Sequence, residues 1–360
     1  MASNPILDLS ELEAHLKLLR AFYDLKSQVE EGSKLEFNTQ AMNSEERWKS
    51  FVQASVERFH RWVFNLKVNG KGIVKRVECP PLDVCLVWHA YMLNPSRYAK
   101  DTKHLEVLKP LGALKTGLLD LFANDSLKRE ILLQGSRAGF PVNVVTSFAA
   151  SPIKGGSYPF SLDLVAAVMR QTSFTEKMVK LGWSEPDFFD APDNLDVLQR
   201  CVARYQGFLE LMASVPNKFF VPTLDIDLAW HTHQLYPKRY AADCLEYAKK
   251  FIDHDDDVGE SQLSNSFDNT CHAWEERFGV PYSFCLNAKA AFGPTNGPPK
   301  GFGSQSVRMA PVYLGHEHGL ANRPSFQCGS GCGGNCGGGC GGGCGGGGCG
   351  GGCVGGARLR

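Results

Sequence analysis

The sequence predicts an all-α protein: a helical domain built from two related multi-helix units, followed by a disordered Gly/Cys-rich tail. Three observations lead there. First, the chain repeats itself. Pro80-Pro-Leu-Asp-Val-Cys-Leu-Val-Trp-His-Ala-Tyr-Met-Leu-Asn-Pro-Ser-Arg-Tyr-Ala-Lys-Asp101 aligns without a gap with Pro222-Thr-Leu-Asp-Ile-Asp-Leu-Ala-Trp-His-Thr-His-Gln-Leu-Tyr-Pro-Lys-Arg-Tyr-Ala-Ala-Asp243, and 12 of the 22 positions are identical. A repeat of this kind marks one supersecondary unit used twice. Second, apolar residues recur at helical spacing through long stretches of the chain. Third, residues 328–353 are a Gly-Cys tract that cannot bury a core.

Each element follows from local signals. Residues 10–31 carry Leu12, Leu16, Leu19, Phe22 and Leu25 on one stripe, with Ser10 and Glu13 as a capping-box pair. Asn43-Ser-Glu-Glu opens a second long helix through Phe51, Val56, Phe59, Trp62, Val63 and Leu66. After the first repeat copy come helical runs over 105–122, broken at Pro110, and over 126–133. Residues 134–160 are rich in Gly, Pro and Ser and read as a long loop. Helices are expected at about 161–171, 174–182 and 193–213, the last leading into the second copy. Two more, 238–252 and 260–278, flank an acidic turn at His254-Asp-Asp-Asp257. The expected organisation is an N-terminal helix and linker over 1–42, a first helical repeat unit over 43–133, and a connecting loop and helices over 134–192. A second repeat unit over 193–290, a Gly/Pro linker over 291–327 and the Gly-Cys tail over 328–360 complete it. The repeat extends upstream, because Val56-Glu-Arg-Phe-His-Arg-Trp62 is similar to Val202-Ala-Arg-Tyr-Gln-Gly-Phe208.

Composition excludes several function classes. The 38 basic and 38 acidic residues cancel, so no global field points to nucleic acid or an anionic membrane. No 18-residue uncharged apolar run is present and the start lacks the pattern of a signal peptide. The expectation is a soluble protein of the cytoplasm or nucleus, not secreted. Of the 13 cysteines, seven fall in the last 33 residues. The other six are expected to be buried free thiols.

The repeated motif starts at a proline and holds no glycine, which predicts a helix over 223–236. Leu224, Leu228, His231 and Leu235 share one stripe, with Ile226, Trp230 and His233 roughly opposite. In the first copy the helix is apolar almost all round, so it belongs at the centre of a domain. His231 and His233 stand two apart, and on a helix they point about 160° away from each other. Asp227 with His231, and Cys85 with His89, have the i,i+4 spacing that chelation from a helix needs. Asp83 and Asp225 sit in first turns, where a carboxylate is favoured. A buried pair of each with the arginine 14 residues on, Arg97 or Arg239, is one reading. The other is a polar cleft lined by Asp225, Trp230, His231, His233, Arg239 and Tyr240 with Asp83, Trp88, His89 and Arg97.

At the Trp-His motif the chain resembles the glycine-rich domain-containing protein family of plants and fungi. Leu224-Asp-Ile-Asp-Leu-Ala-Trp-His-Thr-His-Gln-Leu-Tyr-Pro-Lys-Arg-Tyr240 matches the family's pattern in full. The first copy keeps Trp88-His89 but has Ala90-Tyr-Met92 where the pattern has Thr-His-Gln. The resemblance spans roughly residues 45–290, with Cys285 alone where fungal members carry a cysteine cluster. It implies a regulatory or stress-related interaction role and brings no catalytic activity with it.

The leading expectation is therefore a helical binding or scaffold protein with a protein partner, leaning away from an enzyme. One alternative is a metal-dependent, hydrolase-like enzyme using Asp225, Asp227, His231 and His233 with the acidic turn. Another is metal or redox handling by the tail, whose Cys328, Cys332, Cys336, Cys340, Cys344, Cys349 and Cys353 could hold Zn or Cu(I) as thiolates. Asp227, His231 and His233 are the metal candidates of the helical domain.

Overall fold

In a computed structural model of the 360-residue chain, the described residues are 6–31, 42–66, 80–114, 117–123, 128, 131, 160–215, 218–255, 260–283 and 356–359. They are overwhelmingly helical. The helices are α1 (Leu9–Glu31), α2 (Ser44–Asn65), α3 (Leu82–Met92), α4 (Pro95–His104), α5 (Lys109–Ala113) and α6 (Leu118–Ala123). Then follow α7 (Leu164–Lys180), α8 (Pro192–Ser214), α9 (Leu224–Gln234), α10 (Pro237–Tyr247) and α11 (Glu260–Phe278). Strands β1 (Ile252–Asp255) and β2 (Gly356–Leu359) pair antiparallel, Ile252 opposite Leu359 and His254 opposite Ala357.

Several boundaries follow from local end signals. The Asn43 side chain accepts from the Glu46 N–H at 2.9 Å while the Glu46 carboxylate accepts from the Asn43 N–H at 3.0 Å, a complete capping box. At α1 the reciprocal role falls to Asp8 and Glu11, since the helix starts one residue earlier than Ser10; the Asp8 N–H donates to Glu11 Oε2 at 2.9 Å. Pro110 does not break a helix. It sits in the first turn of α5, where its missing N–H costs nothing. The two helices expected at 161–171 and 174–182 are one, α7, because nothing between them interrupts the ladder. Gly182 and Gly279 take positive φ just beyond α7 and α11, the left-handed cap that a side chain would strain.

The stretch expected as an acidic turn begins instead as β1, paired with a strand from the far end of the chain. Residues 256–259 lie outside the described residues, as do the loop at 134–159, the linker and all seven tail cysteines. Among the described residues, no helix is long and apolar enough to cross a membrane.

The chain forms two compact units. One comprises Glu13–Val179 and Thr232–Tyr240, the other Met1–Leu12, Lys180–His231 and Ala241–Arg360. In the first, α2 packs along α3, and α3 leads through buried Leu93 and Asn94 into Pro-started α4. Every residue of α3 is buried. In the other unit α8 packs on α11, around the fully buried Trp230, Trp274, Tyr205, Phe208 and Tyr282. Removing one such indole costs about 3–5 kcal/mol, which makes the two Trp-His helices the structural centre of their surroundings.

Candidate functional site: the repeated Trp-His helices

The two copies build matched contacts from aligned positions. In the first, Trp88 packs against Trp62 of α2 with ring centres 5.4 Å apart. In the second, Trp230 packs against Phe208 of α8 at 6.0 Å. Trp62 and Phe208 are equivalent in the upstream extension of the repeat. The ring pair Tyr91–Tyr98, 5.1 Å and 77°, has its counterpart in His233–Tyr240, 5.1 Å and 79°. Tyr91 also donates from its hydroxyl to Asp101 at 2.6 Å, and Asp101 accepts from the Ser161 N–H at 2.8 Å.

The aspartates pair upstream, not downstream. Asp83 meets Arg58 of α2 at 3.2 Å, and Asp225 meets Arg204 of α8 at 2.6 Å. Arg58 and Arg204 are again equivalent repeat positions. The expected partners lie elsewhere: Arg97 is exposed on α4, and Arg239 lies over the Tyr236 ring at 4.2 Å. An arginine 14 residues on falls beyond the helix end, whereas the preceding long helix lies alongside.

The second pair is the more deeply buried. Arg204 is 0 % exposed and donates to Asp225 Oδ2, to Thr223 Oγ1 at 3.1 Å and to the Tyr282 carbonyl at 2.9 Å. Its guanidinium also lies over the rings of Trp274 and Tyr282. The Tyr282 hydroxyl donates to the Val221 carbonyl at 2.8 Å and accepts from the Thr223 N–H, so the start of α9 is held by side chains from α8 and from beyond α11. Around Asp83, burial raises the carboxyl's pKa, against the pull of Arg58, two backbone N–H groups and the Ser55 hydroxyl.

Each motif histidine meets a second histidine. His89 Nε2 lies 3.0 Å from His15 Nε2 of α1, and His15 Nδ1 lies 2.8 Å from Thr232 Oγ1. Burial depresses the basicity of both rings, His89 to a pKa of about 3 and His15, which also feels His89, well below its usual value. They are a neutral pair, and one proton between the two Nε2 atoms requires opposite tautomers. In the second copy His231 Nε2 lies 3.1 Å from His254 Nε2 of β1 and 3.3 Å from Asp227 Oδ1. These three residues group within 4.8 Å, all buried. His233, two residues along, belongs with Tyr240 and is not in this group. Helical geometry separates it from His231 as the sequence implies.

The candidates thus divide into two imidazole pairs and two ion pairs, each within its own unit. His15 and Arg204 were missed from sequence, although His15 lies three residues after Leu12 and four before Leu19 on an apolar stripe. The recess that reaches His89, lined by Phe22, Trp48, Leu86 and Gln171, has a volume of about 10 Å³, room for one water.

Duplicated helical units, each centred on a buried Trp-His helix whose polar side chains are turned inward, define a class of all-α protein. The chain belongs to the glycine-rich domain-containing protein-like family, whose profile matches residues 8–101 and 140–243, more than half of its length. The two matched regions end on Asp101 and Asp243, the last aligned positions of the two repeat copies. The chain is 30% identical over 291 residues to glycine-rich domain-containing protein 1 of Arabidopsis thaliana, covering 70% of this chain and 33% of that protein. It is 32% identical over 216 residues to glycine-rich domain-containing protein 2 of the same plant, covering 56% of this chain and 26% of that protein. The chain therefore spans a third or less of the length of these relatives. No solved structure matches it.

Proposed function

We propose that this chain is a non-catalytic binding or scaffold protein with a regulatory or stress-related role, whose helical domain offers its outer surface to another protein. One observation carries the reading. Asp225, Asp227, His231, Thr232, His233 and Gln234, the polar side chains of α9, are each at most 1 % exposed. Groups so placed hold the interior together; a substrate would have to unfold α9 to meet them. The ligands of the hydrolase alternative are the same residues, and burial counts against it. The tail's thiol chemistry is a separate proposal, on residues outside the described ones.

The test compares the purified, zinc-supplied full chain with His231→Gln on generic ester, phosphoester and peptide substrates. The expected result is equal background rates, together with saturable binding to a protein first identified by cross-linking in cells and then purified. A chelator-sensitive turnover that His231→Gln abolishes would overturn the proposal in favour of the hydrolase.

A further inference from the structure

We propose that Asp227, His231 and His254 form a closed site for one divalent transition-metal ion of zinc type, unique to the second repeat copy among the described residues. The ion would fasten α9 to β1.

The sequence places two of the ligands. Asp227 and His231 are four residues apart and so lie one above the other on α9. The third comes from β1, whose backbone is bracketed by β2, with His254 opposite Ala357. Burial is nearly complete, at 0 %, 1 % and 2 % for Asp227, His231 and His254.

The donor atoms converge as ligands do. At zinc bond lengths near 2.0–2.2 Å, the edges of a tetrahedral site are about 3.3–3.6 Å. Two edges of this triangle are 3.1 and 3.3 Å, and all three atoms lie within 4.8 Å of one another. The two imidazoles meet edge-on at 89° with ring centres 4.8 Å apart instead of stacking, and their Nε2 atoms are 3.1 Å apart. Protons serve this arrangement poorly. A proton between two ring nitrogens joins only two of these atoms, whereas a divalent cation accepts all three lone pairs at once. A buried carboxylate also favours a compensating positive charge. Asp225, one turn-half away, meets a guanidinium; Asp227 meets an imidazole.

The first copy is an internal control. Its histidines touch at 3.0 Å in the same Nε2-to-Nε2 manner, but Cys85 stands at the position of Asp227, and its thiol faces the Pro80 carbonyl at 3.6 Å. Among the described residues only the second copy gathers three ligand-type side chains. The first copy is a proton-linked imidazole pair, the second the metal-bound version of the same contact. Two imidazoles and one carboxylate select zinc or a similar ion over calcium or magnesium, which prefer all-oxygen shells. With all three ligands at most 2 % exposed, the inferred role is structural, so the proposal is independent of whether the chain is a scaffold.

The experiment uses the full-length chain with its seven tail cysteines replaced by serine, which removes competing thiolates without shortening the chain. Elemental analysis should find about one zinc per chain, falling at least tenfold in Asp227→Asn and His254→Gln and unchanged in His89→Gln. Cobalt(II) added to the chelator-treated parent should saturate at one equivalent with the visible bands of a low-symmetry nitrogen/oxygen site, a readout that stands even if a variant fails to fold. No bound zinc together with no saturable cobalt spectrum, or metal that persists in both ligand variants, would overturn the proposal. Both outcomes are separate from the turnover and partner-binding assays, so a failure here is distinguishable from a failure of the scaffold reading.

Discussion

Arg204→Met lowers the unfolding free energy of the full-length chain by about 3–5 kcal/mol, the cost of leaving one member of a buried ion pair alone. The loss comes from what stays behind. Asp225 is 0 % exposed, and without the Arg204 guanidinium its buried carboxylate loses its ion-pair partner. The Tyr282 carbonyl and the Thr223 hydroxyl lose their donor at the same time. Replacing both partners, as Arg204→Met with Asp225→Leu, should recover more than half of the loss, since an apolar pair of similar volume leaves no orphaned charge. The equivalent change in the first copy, Arg58→Met, should cost only about 1–2 kcal/mol, because that pair is longer and its arginine side chain is 17 % exposed. Urea unfolding of the three variants checks this. Equal losses for Arg58→Met and Arg204→Met would contradict the burial difference.

The second large effect is on acid stability. His15 and His89 stay neutral in the folded chain because burial disfavours their charged forms. In the unfolded chain both titrate near 6.5. A depressed folded pKa means the contribution is fully present above about 6.5 and is lost as pH falls, down to about 3 for His89. In that window each ring removes about 1.4 kcal/mol of stability per pH unit. Unfolding midpoints of the chelator-treated chain between neutral and mildly acidic pH should therefore decline less steeply in His89→Gln than in the parent. The paired change with His15→Gln should flatten the curve further. Identical slopes in parent and variants would show that the pair is already protonated in the fold.

Much of the architecture was legible because the repeat constrains it twice. Pro80 and Pro222 stand two residues before the motif helices, Pro95 and Pro237 start the next ones, and an all-round apolar α3 can only be interior. The separation of His231 from His233 followed from helical rotation alone. The Asp–Arg pairing was also within reach, since Arg58 and Arg204 are aligned positions of the upstream repeat, but Arg97 and Arg239 lie inside the more similar segment and mask it. The histidine partners were not equally accessible. His15 reaches His89 across 74 residues, and His254 reaches His231 from a strand whose partner is at the far end of the chain. Four residues beginning with Ile252 carry no period that separates a strand from a turn, and the pairing that makes them one is non-local.

The central claim is that both Trp-His helices are interior framework, and that the second is further tied by a metal. Amide hydrogen exchange of the zinc-supplied full chain tests it directly. α3 and α9 are expected among the slowest-exchanging segments, and a chelator should accelerate α9 and β1 while leaving α3 unchanged. Exchange of α3 and α9 as fast as in the partly exposed α4 would contradict the buried framework, and chelator-insensitive α9 would contradict the metal.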